Sequence, residues 1–338
     1  MPVKAQESHV WGVLARKAGS LPPPVEKVKQ TRDGPALGEP GPPAHIARQP
    51  SPFPSHAMPA FQLRHSTTYV FSSPVTLSPH TLYLRPRSDH KLTVQASSLG
   101  LSPPAEVVWR NDLYGNAIAI AYFTGTTTQL DIVSALSVET FPRSESQRRI
   151  LLETGATQYA PTEQRMLWAC LDQPRDTADA VAAWIKRGAS SVQKGQYERL
   201  LECAARIRYE LDYRIRFEQG LQSPTETLRL QSGTCRDFAE LMIAAARSLG
   251  CAARFVTGYV YTPNATPGSF SPHAWAEVYI PAVGWIELDA TNGLVDDGDL
   301  IPVASAASGV ELTPVLGAFT GYGASSSLSV GVDVTRLR

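Results

Sequence analysis

The chain of 338 residues lacks any apolar run of about 18 residues, so no part of it is patterned to span a bilayer as a helix. It also lacks net charge. Its 31 Lys and Arg balance 31 Asp and Glu, which leaves no electrostatic case for a nucleic acid or an anionic membrane as partner. Cysteine is scarce. Cys170, Cys203, Cys235 and Cys251 are too few and too widely spaced for a disulfide framework, and no C-x-x-C pair suggests zinc. Four reduced thiols in a reducing, cytoplasmic setting are the expectation. At 43% apolar, what is present is ample for packed cores, and the length fits about two domains.

Residues 1–57 are of a different composition, carrying 11 of the 27 prolines and no apolar periodicity. Such a stretch buries too little surface to offset its ordering entropy. It has no apolar core of a signal peptide. The segment reads as a disordered tail, or else translation starts at Met58.

Residues 58–150 read as a β domain. Phe61, Leu63, His65, Thr67 and Tyr69 alternate with polar residues until Pro74 breaks the run. Short β-branched or aromatic stretches follow at regular spacing, which implies an antiparallel sandwich. Leu113–Asn116 is a turn in which Gly115 is free to take positive φ. His65, His80 and His90 read as structural residues.

Residues 151–338 form the second expected domain. Ala178, Val181, Ala182 and Ile185 recur at helical steps, as do Leu200, Leu201, Ala204, Ile207 and Leu211. Cys170 and Cys203 fall in these stretches and read as small core hydrophobes. A last helix is expected from Cys235 to about Leu249, closed by Gly250. Cys251 reads as core. The end of the chain, SLSVGVDVTRL, reads as a strand closing the sheet of one domain.

The chemistry-bearing pattern lies in residues 232–293. Thr234, with Asp237 three residues on, makes a box-like start to that last helix. Cys235 sits in its first turn, where the helix dipole favours a thiolate. Gly233 leaves room for a substrate to approach the sulfur. The unpaired N–H groups of the first turn suit an oxyanion. His273 is the single histidine after residue 90 and shares a strand face with Trp275 and Glu277. Asp289 shares the next strand's face with Trp285 and Glu287. If the loop between these strands has an odd number of residues, imidazole and carboxylate stand on one face; an even loop would separate them. The alternative reading of Asp289 is the start of a turn before Ala-Thr-Asn-Gly. Arg236 and Glu240 read either as solvated helix residues or as cleft residues. Asp296-Asp297-Gly298-Asp299 is an acidic turn without the ligand spacing of a calcium loop.

These segments, G-x-C-x-D-F-A, R-F-V-x-G-Y, H-A-W-x-E-V-Y and G-W-x-x-x-D-x-T-N-G, resemble the core of the transglutaminase-like superfamily. The β region at 61–141 resembles the one that precedes this core in bacterial members. The resemblance implies an α+β fold, with a papain-like cysteine-protease/transglutaminase core preceded by an antiparallel β-sandwich. It implies Cys235 as nucleophile, His273 as base and acid, and Asp289 orienting the histidine, acting on amide bonds of a protein or peptide substrate through a thioester. No cofactor or metal is expected. A cysteine peptidase and a non-catalytic binding module are the alternatives. Thr234, Arg236 and Glu240 stand where the bacterial pattern has Val, Gln and His. Ala290 stands for a frequent Pro, and ASAASGVELTPVLGAF for a Gly-Arg-Asp-Tyr-like stretch.

Overall fold

The computed structural model describes residues 58–338 except 154–157, 189–193, 217–219, 264–271 and 282. The expectation for residues 1–57 lies outside the described residues.

Alternation builds β1 (Ala60–Leu77). Phe61, Leu63, His65 and Thr67 are buried while Gln62 and Arg64 face solvent. The strand does not end at Pro74, as the sequence suggested. Its pairing slips between Val70 and Val75 and then resumes, and the proline sits in that irregularity, where its missing N–H costs no ladder bond. β2 (His80–Leu82), β3 (Leu92–Ser102), β4 (Ala105–Asn111), β5 (Ala117–Phe123) and β6 (Thr127–Thr140) follow. Between β4 and β5, Gly115 adopts a φ of 78°, and the Asp112 carboxylate accepts from the N–H groups of Tyr114 and Asn116.

Helices come next: α1 (Glu145–Glu153), α2 (Pro161–Met166), α3 (Trp168–Leu171), α4 (Arg175–Arg187) and α5 (Gln196–Glu210). In α4 the buried stripe is Thr177, Val181 and Trp184, whereas Ala182 is exposed. The expected stripe is thus rotated. Trp184 has far more apolar area to bury than Ala182, and its indole N–H reaches Glu210 at 3.1 Å. In α5 the face is as expected, with Leu200, Cys203, Ala204 and Ile207 buried. All four cysteines are free and buried.

A short parallel pairing of β7 (Asp212–Tyr213) with β8 (Ser232–Gly233) flanks α6 (Pro224–Leu230). It leads into α7 (Cys235–Ser248). Ten of the fourteen residues of α7 are buried, the pattern of a core helix rather than a surface one. Gly250, at a φ of 80°, closes α7, and the Cys251 N–H returns to the Ala246 carbonyl. One cluster joins α7 to Ala274, Ala276, Val278, Ile286 and Leu288. These belong to an antiparallel sheet of β9 (Ala253–Val260), β10 (His273–Ile280), β11 (Gly284–Asp289), β12 (Leu294–Val295) and β13 (Leu300–Ala306), in the order β12-β11-β10-β9-β13.

The chain then returns to its beginning. β14 (Val315–Leu316) joins β2 and β5 and β4 in one sheet, and β15 (Phe319–Thr320) and β16 (Ser326–Arg336) both pair with β1 in the other. Phe71, Leu82, Leu84, Ala119, Ala121, Leu130 and Ile132 fill a core within these strands. Phe61, Leu63, Val332 and Val334 share the cluster that contains α7. Residues 58–338 pack as one compact unit. No described helix is long and apolar enough to cross a membrane.

Candidate active site

The β10–β11 hairpin turns through three residues, 281–283, an odd number. The register pairs Glu277 with Glu287 and Tyr279 with Trp285. His273 and Asp289 therefore stand on the same face. They meet: His273 Nε2 lies 2.8 Å from Asp289 Oδ2. A carboxylate only accepts, so this contact puts the hydrogen on Nε2 and leaves Nδ1 for another partner. The second partner of the imidazole is the Cys235 side chain. The three side chains singled out in the sequence are thus brought together from a helix start and two strands.

Asp289 is fixed by its own turn. Its Oδ1 accepts from the N–H groups of Thr291 and Asn292 at 2.9 and 3.2 Å. The Asn292 side-chain amide donates to Oδ2 at 2.8 Å and lies 3.1 Å from His273 Nε2. Starting a turn and holding the histidine are therefore compatible in one carboxylate. Burial alone would discharge the His273 ring, but the hydrogen bonds and charges of Asp289 and Cys235 outweigh it and push its pKa up to about 10. Burial likewise opposes the charged Asp289, yet the histidine and Asn292 hold its pKa below the usual value.

The start of α7 is secured by Asp237, which has no solvent exposure. Its carboxylate accepts from the Thr234 N–H and hydroxyl, the Gln222 N–H, and two nitrogens of Arg216. These contacts hold its pKa down against burial. Gly233 has a different role from the one expected. A Cβ there would stand 2.8 Å from the Asp237 Cβ, so glycine admits the capping carboxylate rather than a substrate. Arg236 and Glu240 are neither solvated nor free in the cleft. Arg236 donates to the Gly309 carbonyl at 2.8 Å, and Glu240 accepts from the Ser308 hydroxyl and the Gly309 N–H. Two departures from the bacterial pattern, Arg236 and Glu240, thus bind another, the segment around Ser308.

Sequence reasoning missed Tyr213. Its hydroxyl hydrogen-bonds the Cys235 side chain, and burial together with that sulfur pushes its pKa up to about 12. The ring stands edge-on to Phe238 at 6.2 Å and is half exposed. The only sequence signal was an aromatic residue just past a helix end. Asn292 was visible as part of T-N-G, but without a role. Cys235 is 7% exposed and Cys170 8%, so access does not distinguish them; the neighbours do. Cys170 and Cys203 have no imidazole partner among the described residues, and burial raises both thiols, Cys203 to about 11. Asp296 of the acidic turn is buried and paired with Arg143 at 2.7 Å. Among the described residues, no group of three His, Cys, Asp or Glu side chains is arranged to hold a metal ion.

Comparison with known proteins agrees with this architecture. Residues 172–290 match the model of the transglutaminase-like superfamily, and residues 61–139 match that of the bacterial transglutaminase-like N-terminal region. An uncharacterized protein of Mycobacterium leprae is 30% identical over 280 residues, covering 81% of this chain and 97% of its own length. An uncharacterized protein of Mycobacterium tuberculosis is 28% identical over 295 residues, covering 81% and 92%. Among solved structures, a candidate cysteine protease from Cytophaga hutchinsonii shares the fold, with a TM-score of 0.65 at 23% identity over 83% of this chain and 91% of that one. The chain belongs to the transglutaminase-like superfamily and carries the bacterial N-terminal region that accompanies this core.

Proposed function

We propose that the protein is a cysteine-dependent acyl transferase or hydrolase acting on amide bonds of a protein or peptide. The observation that carries this reading is the His273–Asp289 hydrogen bond, with the Cys235 side chain acting on the same imidazole. The sulfur attacks the amide carbonyl carbon, and a C–S bond forms as the oxygen gains charge. In this reading the Cys235 N–H at the helix start and the Tyr213 hydroxyl serve as the donors to that oxygen. Protonated His273 then gives its Nδ1 proton to the leaving nitrogen as the C–N bond breaks. A thioester remains. Water or a primary amine attacks it, neutral His273 takes up the proton lost, and the thiol is restored. Asp289 keeps the ring oriented and stabilises its cationic form throughout.

The test is alkylation with iodoacetamide near neutral pH, followed by peptide mapping. Modification is expected first at Cys235, with Cys170, Cys203 and Cys251 protected. A Cys235→Ala variant is expected to lose turnover of a glutamine peptide, whether read as ammonia release or as incorporation of a labelled amine. Full turnover by that variant would remove the proposal.

A further inference from the structure

Four donors share the Asp289 carboxylate, and two of them meet on one oxygen. The N–H groups of Thr291 and Asn292 take Oδ1. His273 Nε2 and the Asn292 side-chain nitrogen both lie 2.8 Å from Oδ2. Those two nitrogens are 3.1 Å apart. Backbone bonds bring Asn292 to this place whatever its side chain. The Gly293 N–H returns to the Asp289 carbonyl at 2.8 Å, and Gly293 takes the left-handed φ of 74° that ends the turn.

The acyl-transfer steps use the histidine and the aspartate and give Asn292 no part. The orientation of its amide follows from its neighbour. A carboxylate only accepts, so the NH2 end of the amide faces Oδ2. The same end therefore faces the ring, whose Nε2 carries a hydrogen of its own and does not accept. Asn292 and His273 are rival donors to one oxygen, and each N–H turns its partial positive charge toward the other. The rivalry is strongest when the ring is cationic. An oxygen shared with a second donor holds an imidazolium less firmly than an oxygen given to it alone. The charged and titratable groups that act on the ring are Asp289 from β11 and Cys235 from α7, and both favour the cation. Tyr213, from β7, acts on the sulfur. Trp275, on the ring's own strand, stacks on it with 5.9 Å between centres and carries no charge.

We infer that Asn292 is a positioning residue that tempers the hold of Asp289 on protonated His273, so that the ring gives its Nδ1 proton to the leaving nitrogen more readily. The use made of the tempered ring rests on the acyl-transfer reading above; the effect on the ring does not. In the step concerned, the C–N bond breaks and the Nδ1 proton moves to the departing nitrogen, while Nε2 keeps its hydrogen directed at Asp289. What changes beside Asn292 is the charge of the ring. The cation is the state that a second donor disfavours, and the neutral ring is the state left after transfer.

The test is an NMR titration of His273 in the full chain labelled with carbon-13 histidine, the resonance being identified by its loss in His273→Gln. A Cys235→Ala background takes the sulfur out of the comparison. Asn292→Leu keeps the bulk of the side chain without its donor, and the backbone bonds of the turn remain. Asn292→Ala serves as a second variant with less bulk to place. The His273 midpoint is expected to rise by about 0.5–1 pH unit in both. An unchanged or lower midpoint overturns the inference, since an Asn292 that merely braced the turn would, when removed, let Asp289 swing away and the midpoint fall. With the cysteine present, Asn292→Leu is expected to lower kcat for a glutamine peptide by about 3- to 10-fold with KM little changed. A raised midpoint with kcat unchanged also overturns the inference and leaves acyl transfer intact. A wild type without turnover removes the acyl-transfer reading, and with it the use proposed for the tempered ring.

Discussion

Asp289 does two things with four lone-pair positions, closing a turn and orienting an imidazole. Asparagine in its place keeps the size but brings an N–H toward the ring, which favours the wrong tautomer. Asp289→Asn is expected to lower kcat by about 10²- to 10⁴-fold with the fold retained, measured as turnover alongside circular dichroism. His273 sets the pH range. Its pKa in the folded chain, about 10, lies above the ordinary 6.5. The stabilisation that its cationic form draws from Asp289 and Cys235 is fully present below pH 6.5 and lost as pH rises through about 10. The alkaline limb of the rate profile is expected near pH 10, and a limb at pH 6.5–7 would contradict the pairing. At this scale the sequence was legible where a residue type is rare in its segment: one histidine, one cysteine at a helix start, one aspartate ending a strand. Tyr213 was not, because nothing local marks a tyrosine near a helix end. Its meaning lies in what the fold brings opposite it, Cys235.

The β10–β11 hairpin turns a parity into chemistry. Inserting one glycine into its three-residue loop makes the loop even. With β10 kept in register, β11 either bulges or turns Asp289 to the opposite face. Activity and selective Cys235 alkylation are expected to fall together, with far-UV circular dichroism little changed. The sequence could state the parity condition but not the loop length, because strand ends are set by tertiary pairing rather than by local pattern. The rotated stripe of α4 has a similar cause. Periodicity counts apolar residues equally, whereas the fold buried Trp184 and left Ala182 outside. Pro74 marked a break that the strand absorbed, since a slipped register tolerates a missing donor. The alternation of β1 and the run of α7 were readable because a buried face or a wholly buried helix dictates nearly every residue.

Across the molecule, charge is concentrated where the N-terminal strands meet the central sheet. Lys91 stands 3.6–3.7 Å from Glu277, Glu287 and Asp296, while Arg254 pairs with Glu277 and Arg143 with Asp296. Burial and the two neighbouring carboxylates push the Glu287 pKa up, against the pull of Lys91. Lys91→Met removes the shared cation and leaves buried carboxylates facing one another. A loss of about 3–5 kcal/mol is expected, read as a lower urea midpoint. None of this was legible in a sequence with zero net charge, since composition cannot say which charges are buried together. The partnership of β1 with β16 spans 265 positions between Ser66 and Gly331. A ribosome releases β1 long before it makes the strand that borders it. Until residues 326–336 emerge, that flank of the nascent sheet stays open to foreign strands. The helix that begins at Cys235 is translated about 90 residues earlier, so this protein completes its chemistry-bearing segment before its protective seam.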